Sequence, residues 1–435
     1  MKMSINSADA LMAPLSVRDF VDRHLEKEVL HLERDDADLV EGIFDLDSMS
    51  HCLRFMSPQL RDLIRVIPRG DASEKTAASN AVAKGADDHG LSHFVAEFGE
   101  GSTLTFNMAE TYWPPVSDIV TDLRRALASD VRCNVYCTPP ESQGFDTHVD
   151  AHDVLVLQTS GSKTWRIHDV QTELPVESST LMAEMFPRLA GSMPDHGEPT
   201  REVVLRPGDL LYLPRGVPHS AASTTEHSVH LTIGLYPLRT HEFIGKIIDL
   251  AAFADVRLRR RVDAELIRGE IPAASAGDLL REVAGFCDEL EEPLDVSRLL
   301  AATNEEYQPQ PGTPGMFQTA IAIEGMDLDS VVEWPEGVTW TTRRTPHDFR
   351  AVCGGRMALP LKLEPVIDFL ENTRCFRVGD APGILKDSAK LTLCRNLVKN
   401  GLLRITGRQE SLSGAPEVTG VTAPGLPDWL APSGF

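Results

Sequence analysis

The chain has 435 residues, of which 42% are hydrophobic and 25% charged, with a net charge of -23. That length leaves room for two or three domains with a real core, and the apolar content is ordinary for a globular protein. The acidic balance argues against general nucleic-acid affinity and suits a basic partner.

The opening "MKMSINSADALMAPLSVRDF" has too weak an apolar centre for a signal peptide, and no apolar run approaches the ~20 residues of a membrane span. Residues 15 to 65 read as mixed and mostly helical: "SVRDFVDRHLEKEVLHL" has apolar residues at helical spacing after Ser16, with Asp19 at the capping-box position. Residues 71 to 90 are small and polar and read as a loop or insertion. From about 93 to 240 the texture changes to short alternating runs: "STLTFNM", "RCNVYCT", "DVLVLQT", "KTWRIHD", "EVVLRPGDLLYLP" and "SVHLTIGLYP". Many short strands at such spacing predict a sandwich or barrel.

From 241 to about 305 the strands stop, and "HEFIGKIIDLAAFADVRLRRRVDAEL" and "AGDLLREVAGFCDELEEPL" read as amphipathic helices. "NEEYQPQPGTPG", 304 to 315, reads as a linker. Beyond it, "KLEPVIDFLENTRCFRVGD" and "LKDSAKLTLCRNLVKNGLLRITG" predict helix, helix and a short strand, an order that suits a small winged-helix module. The end, from Ser411, is Pro/Gly-rich and reads as irregular. Seven scattered cysteines, with no Cys-x-x-Cys pair, read as reduced thiols and point to the cytoplasm.

The chemistry concentrates in "GFDTHVDAHDVLVLQTSGSKTWRIHD", residues 144 to 169. If this segment is a strand, His148, Asp150 and His152 share one face, because side chains two apart point the same way. A second segment, "RPGDLLYLPRGVPHSAAS", supplies a turn at Gly208-Asp209, an apolar strand, a turn at Pro214–Gly216, and then His219. Its Gly-Asp-x4-Pro-x-Gly-x2-His pattern is a cupin signature. Two imidazoles and one carboxylate, His148, Asp150 and His219, form the facial triad suited to Fe(II), with three positions left for a bidentate co-substrate and O2. His152 reads either as a neighbour of that centre or as a structural histidine. Lys163 follows the apparent turn "TSGS" at the start of the next strand. There it reads either as a surface lysine or as the partner of the distal carboxylate of 2-oxoglutarate.

The matching segments "NVYCTPPESQGFDTHVDAHDVLVLQTSGSKTWRI", "GDLLYLPRGVPHSA" and "HSVHLTIGLYP" resemble the JmjC branch of the 2-oxoglutarate oxygenases, specifically the ribosomal oxygenases. The resemblance is specific across about 130 to 240 and follows by element order elsewhere. It implies an α+β chain: a double-stranded β-helix (jelly roll) with a helical lead over 1–240, a helical dimerisation region over 241–310, and a winged-helix-like module over 311–435. It implies iron at His148, Asp150 and His219, the co-substrate carboxylate at Lys163, a further co-substrate contact at Asn134, and a pocket hydroxyl at Thr232. Tyr136 shares a strand face with Asn134 and reads as a pocket wall or as core. Val149 and Ala151 are smaller than the groups these hydroxylases often carry there, which bears on the substrate and leaves the iron untouched.

The activity so implied is oxidative decarboxylation of 2-oxoglutarate to succinate and CO2, coupled to hydroxylation of a protein or peptide side chain. A basic ribosomal protein would suit the acidic chain. Tailoring of a natural-product peptide or small molecule stands as an alternative. So does a cupin isomerase or epimerase that needs no O2, although it leaves Lys163 without a purpose. A winged-helix DNA-binding regulator is the third: residues 343 to 410 hold 13 Lys+Arg against 7 Asp+Glu, yet no arginine-rich recognition helix stands out.

Overall fold

The computed structural model describes residues 5–55, 63–69, 91–170, 172–176, 197–270, 276–289, 296, 299–300, 303, 321–335, 341–344, 348–352, 356–399 and 401–408. The polar stretch 71 to 90, the linker at 304 to 315 and the end beyond Ser411 lie outside the described residues. The chain divides into two compact units, Met1–Tyr307 and Gln308–Phe435.

In the first unit, short helices at Ala8–Met12 and Val17–Arg23 lead into the sheet. Ser16 and Asp19 close the expected capping box on the second helix. The strands are β1 (Leu30–Leu32), β2 (Ile64–Ile67), β3 (Thr103–Phe106), β4 (Asp130–Thr138), β5 (Asp153–Ile167), β6 (Arg201–Leu205), β7 (Leu210–Leu213) and β8 (His219–Tyr236). They form an antiparallel sheet in the order β1-β7-β5-β8-β4-β3-β2, with β6 also paired to β5. Helices Leu46–Phe55 and Pro114–Leu127 add Met49, Val116, Ile119 and Leu123 to its core.

Alternation sorts the side chains of the central strands. On β4, Val131, Cys133, Val135 and Cys137 enter the main core, and on β8 Val229, Leu231, Ile233 and Leu235 do the same. The intervening residues Asn134, Tyr136, His230 and Thr232 line a cavity on the opposite face. The pairs Asn134–Thr232 and Tyr136–His230 sit directly opposite each other in register.

β5 differs from expectation. "DVLVLQT" and "KTWRIHD" read as two strands joined by a turn, but they form one 15-residue strand that runs along β8. The Gly and Ser residues mark bulges, between Gln158 and Ser160 and between Gly161 and Lys163. At the first, β5 advances two residues while β8 advances one, so the parity of the strand flips. Even-numbered Val154 faces the cavity before it, and odd-numbered Lys163 and Trp165 face the same cavity after it. Gly161 has φ +61°, and a Cβ there would stand 1.8 Å from the His227 carbonyl oxygen. Only glycine fits that bulge.

Segment 241 to 305 is helical in part. The Thr240–Ala254 helix begins with Glu242 accepting from the Arg239 N–H at 2.8 Å. It does not continue to Leu266 as one piece. Asp255 is extended and its carboxylate caps a new 3-10 turn at Val256–Arg259, because aspartate favours starting a helix over extending one. Helices Ala264–Ile267 and Ala276–Asp288 follow.

The second unit contains β9 (Ser330–Glu333), β10 (Thr341–Arg344), β11 (Asp348–Val352), β12 (Arg356–Pro360), β13 (Cys375–Arg377) and β14 (Arg404–Arg408). β10-β11-β12 is an antiparallel meander, and β13-β9-β14 is a second sheet. The two expected helices are present at Glu364–Asn372 and Asp387–Lys399. They pack Val366, Leu370, Leu397 and Val398 with Val332 and Phe376 of the second sheet. The expectation of helix, helix and strand missed the strand β13 that lies between the helices. Among the described residues, no helix is long and apolar enough to cross a membrane.

Candidate metal and co-substrate site

His148, Asp150 and His152 do not lie on a strand. Residues 144 to 152 are irregular, and His148 makes a single bridge to His219 at the start of β8. The bridge is reciprocal: His148 N–H donates to the His219 carbonyl at 3.1 Å, and His219 N–H donates to that of His148 at 2.9 Å. Two ligand-type residues far apart in sequence are thereby locked side by side, with ring centroids 4.5 Å apart. Gly216 N–H donates to the Asp150 carbonyl at 3.1 Å and holds the third residue against the turn that precedes His219. Gly216 has φ +89°, and a Cβ there would meet the Thr172 carbonyl oxygen at 2.3 Å, so the tight turn of the sequence signature requires glycine.

One ligand-type atom from each of His148, Asp150 and His219 lies within 4.8 Å of the other two. Nδ1 of His148 is 2.8 Å from the Asp146 carbonyl oxygen, and Nδ1 of His219 is 3.0 Å from that of Val217. Those contacts place the ring protons on Nδ1 and leave each Nε2 with a lone pair for a metal. Nε2 of His219 is 3.6 Å from Oδ2 of Asp150. Burial opposes ionisation of Asp150, but the charges of His148, His219 and His152 draw its carboxyl below the ordinary value. Burial, followed by the charge of His148, pushes His219 down to about 4, so it is a neutral imidazole at neutral pH. A neutral imidazole at His219 and a carboxylate favoured in its ionised form at Asp150 are donor states that suit a divalent cation.

His152 stands apart from this cluster. Its ring stacks on Tyr236 at 4.7 Å and both line the cavity. The guanidinium of Arg132 lies 4.9 Å from the centroid of the Tyr236 ring.

The cavity holds about 500 Å³. Lys163 reaches it although it is only 3% exposed. Its Nζ donates to Thr138 Oγ1 at 3.1 Å, a neutral partner, and burial lowers its pKa to about 7. A buried ammonium without a carboxylate partner among the described residues fits an anionic ligand. Asn134 accepts from the Met108 N–H at 3.1 Å, and Tyr136 stacks on His230 at 5.1 Å. All seven residues singled out from the sequence, His148, Asp150, His219, Lys163, Asn134, Tyr136 and Thr232, line this one cavity.

Sequence reasoning passed over Trp165 and left the role of His230 open. Both are buried and line the cavity, and Trp165 Nε1 and His230 Nδ1 have no hydrogen-bond partner among the described residues. Their only signal was strand parity, which the mistaken turn at "TSGS" concealed for Trp165. Burial, followed by the charge of Lys163, keeps His230 neutral. Cys133 and Cys137 are fully buried in the main core with thiol pKa values raised by that burial, so they are not metal ligands here.

Two histidines and an aspartate at the edge of an antiparallel sheet, in one cavity with a buried lysine, make up a candidate metal-binding site. Residues 112–243 match the JmjC domain family, and the fold is of the JmjC/cupin type. The chain is similar to ribosomal oxygenase 1 of Rattus norvegicus, 32% identical over 251 residues, which cover 57% of this chain and 40% of the relative. It is also similar to the bifunctional lysine-specific demethylase and histidyl-hydroxylase NO66 of Dictyostelium discoideum, 30% identical over 55% of this chain and 45% of the relative. Ribosomal oxygenase 2 of Mus musculus is 30% identical over 66% of this chain and 60% of its own length. The chain thus spans less than half the length of the first two relatives. The fold is shared with Escherichia coli ribosomal oxygenase YcfD in complex with cobalt and 2-oxoglutarate, with a TM-score of 0.51 at 17% identity over 91% of this chain and 99% of that one.

Proposed function

We propose that the protein is an Fe(II)- and 2-oxoglutarate-dependent oxygenase that hydroxylates a side chain of a protein or peptide. The observation that carries this reading is the pairing of a three-ligand cluster, within 4.8 Å, with a buried, uncompensated Lys163 in one cavity. His148, Asp150 and His219 would hold Fe(II), a donor set of two imidazoles and one carboxylate that suits that ion. When bound, the iron and 2-oxoglutarate supply the oxidising chemistry, with O2 consumed and succinate and CO2 released.

The chain's own residues bind and orient. Lys163 takes the distal carboxylate of the co-substrate as a charged donor. Asn134, Thr232 and Tyr136 line the same cavity and would contact the co-substrate there, and Trp165 Nε1, without a partner among the described residues, offers a further donor. The Nδ1–H groups of His148 and His219 donate to the Asp146 and Val217 carbonyls, which fixes both rings.

The relatives' names support a ribosomal protein as substrate, and the net charge of -23 supports a basic partner through long-range steering. The scattered cysteines support a cytoplasmic setting. We assign residues 1–240 to catalysis, 241–310 to dimerisation and 311–435 to a winged-helix-like module. The order of helix, strand, helix and strand beside a three-stranded sheet supports the last assignment.

The test is succinate release from 2-oxoglutarate by the iron-loaded protein, with and without fractionated ribosomal proteins, and mass spectrometry for one added oxygen atom. Stimulation of succinate release together with that mass gain is expected. Metal binding without 2-oxoglutarate consumption under any substrate would favour the isomerase class instead.

A further inference from the structure

Asp153 lies three residues after Asp150, at the start of β5, and is fully buried. Its Oδ1 accepts from the Tyr212 hydroxyl at 2.7 Å and from the Arg215 backbone N–H at 3.2 Å. The Tyr212 oxygen in turn accepts from the Glu26 N–H at 2.8 Å. The Arg215 guanidinium donates to Glu26 Oε1 at 2.6 Å and is 7% exposed. These four side chains make a closed polar cluster that ties the N-terminal lead to the turn Pro214–Gly216.

That turn touches one of the three ligand-type residues and leads into another. Gly216 N–H, next to Arg215, holds the Asp150 carbonyl, and His219 follows three residues later. Segment 150–153 is therefore fastened to the turn at both ends, by Gly216 N–H at Asp150 and by Arg215 N–H at Asp153. Apart from the bridge between His148 and His219, residues 144 to 152 have no strand pairing that would fix Asp150. Ring contacts hold His148 and His152, so the position of Asp150 between them depends on the hydrogen bonds of its backbone.

We infer that Asp153 is a positioning residue for the metal site: its carboxylate fixes the turn Pro214–Gly216 against segment 150–153, and so sets the separation of the Asp150 carboxylate from the His219 imidazole. This rests on the metal reading of His148, Asp150 and His219. Tyr212 shares the role by bracing the same oxygen, and Glu26 extends it into the N-terminal lead. Groups that orient metal ligands from behind typically contribute about 10- to 100-fold to metal affinity.

The test is Co(II) binding to the full-length, metal-free protein, read by chelator competition and by the visible absorption of the bound ion. Asp153→Val, of similar size but without an acceptor, is expected to weaken Co(II) by about 10- to 100-fold and to change the absorption band. Asp153→Asn keeps an acceptor for Tyr212 and Arg215, and should restore affinity to within a few fold of wild type. Tyr212→Phe, a smaller change that keeps the ring in the core, should weaken Co(II) measurably and serves if Asp153→Val does not fold. A purely structural role would lower the melting temperature and leave affinity and spectrum alone. The inference is overturned if folded Asp153→Val, or Tyr212→Phe in its place, binds Co(II) with the wild-type constant and spectrum. It is equally overturned if Asp153→Asn is as weak as Asp153→Val. Wild-type protein that binds no more Co(II) than His148→Ala overturns the metal reading itself, and the inference with it.

Discussion

Lys163 donates to Thr138 across 3.1 Å inside the cavity, and Thr138 is in turn 3.2 Å from Thr103. A cation that ends on a chain of hydroxyls is solvated but not neutralised. Burial lowers its pKa to about 7, so Lys163 is poised near half-protonation at neutral pH. A co-substrate carboxylate needs the ammonium form, and binding above pH 7 must therefore take up a proton. Affinity for the unreactive analogue N-oxalylglycine is expected to fall as pH rises from about 7, by up to about tenfold per unit. His230, held neutral by burial and by the Lys163 charge, adds no titration in that window. Lys163→Met should flatten the profile and weaken the analogue about 10- to 150-fold, the range of a lost charge-assisted hydrogen bond. Calorimetry in buffers of different ionisation enthalpy reads the proton directly, and a wild-type profile flat from pH 7 to 9 would return Lys163 to an inert role.

The same lysine makes the unliganded protein pH-sensitive in the opposite sense. Its folded pKa is about 7, below the ordinary lysine value of 10.5, so between those values the unfolded chain binds the extra proton. Stability of the ligand-free protein should rise with pH across this window. Lys163→Met should remove that slope and raise the melting temperature at pH 7, where the buried charge costs most. Melting curves of the two proteins from pH 7 to 10 decide it.

For the metal cluster, Asp150→Ala is expected to abolish turnover and to lower iron occupancy at least tenfold, because it removes the one anionic donor and leaves two neutral imidazoles facing the cation. His148→Ala and His219→Ala should do likewise. Iron analysis after gel filtration checks this. Full occupancy with activity in Asp150→Ala would remove the assignment.

How much of this was legible in the sequence depended on which physical signal carried each part. The Gly-Asp-x4-Pro-x-Gly-x2-His pattern stated its own geometry, since Gly216 must take a positive φ and Pro214 bounds the turn. His219 was placed correctly for that reason. His148 and Asp150 were expected on a strand from spacing alone, but they sit on an irregular segment, and it is the bridge to His219 that brings His148 in. Spacing cannot show a backbone pairing between residues 71 apart in sequence. Lys163 reached its expected cavity by another route. The glycine at 161 signals both a hairpin and a bulge, and local sequence does not separate the two. Trp165 was missed, and the role of His230 was left open, because their places in the cavity follow from the parity flip at that bulge and from long-range pairing.

The bulge itself can be tested. Gly161→Ala would place a methyl group 1.8 Å from the His227 carbonyl oxygen at φ +61°. The backbone of β5 or β8 must shift, at a cost of about 2–4 kcal/mol. Because Lys163 lies two residues on, the apparent KM for 2-oxoglutarate should rise while iron content changes little. A variant with wild-type stability and KM would show that the parity of β5 does not depend on this glycine.

The helical region offers the last prediction. Among the described residues, nine of the sixteen exposed large hydrophobic side chains fall between 241 and 305: Ile244, Phe253, Val256, Val262, Ile267, Leu279, Leu280, Val296 and Leu300. Such a concentration in so short a stretch exceeds what scattered surface hydrophobics explain. The segment is not loose, because Arg257 lies 4.0 Å over the Phe286 ring and pairs with Glu289 at 2.6 Å, which ties the Val256–Arg259 turn to the Ala276–Asp288 helix. Phe253 is 85% exposed, and half-buried Leu250 lies three residues earlier on the Thr240–Ala254 helix. Helices of this kind from two copies can close a two-fold interface. Leu250→Glu with Phe253→Glu should therefore turn a dimer into a monomer at micromolar concentration, while leaving Co(II) binding by the β-domain intact. Light scattering reads the mass. A wild-type monomer, or a dimer that survives both substitutions, would place self-association elsewhere and leave this face for a different partner.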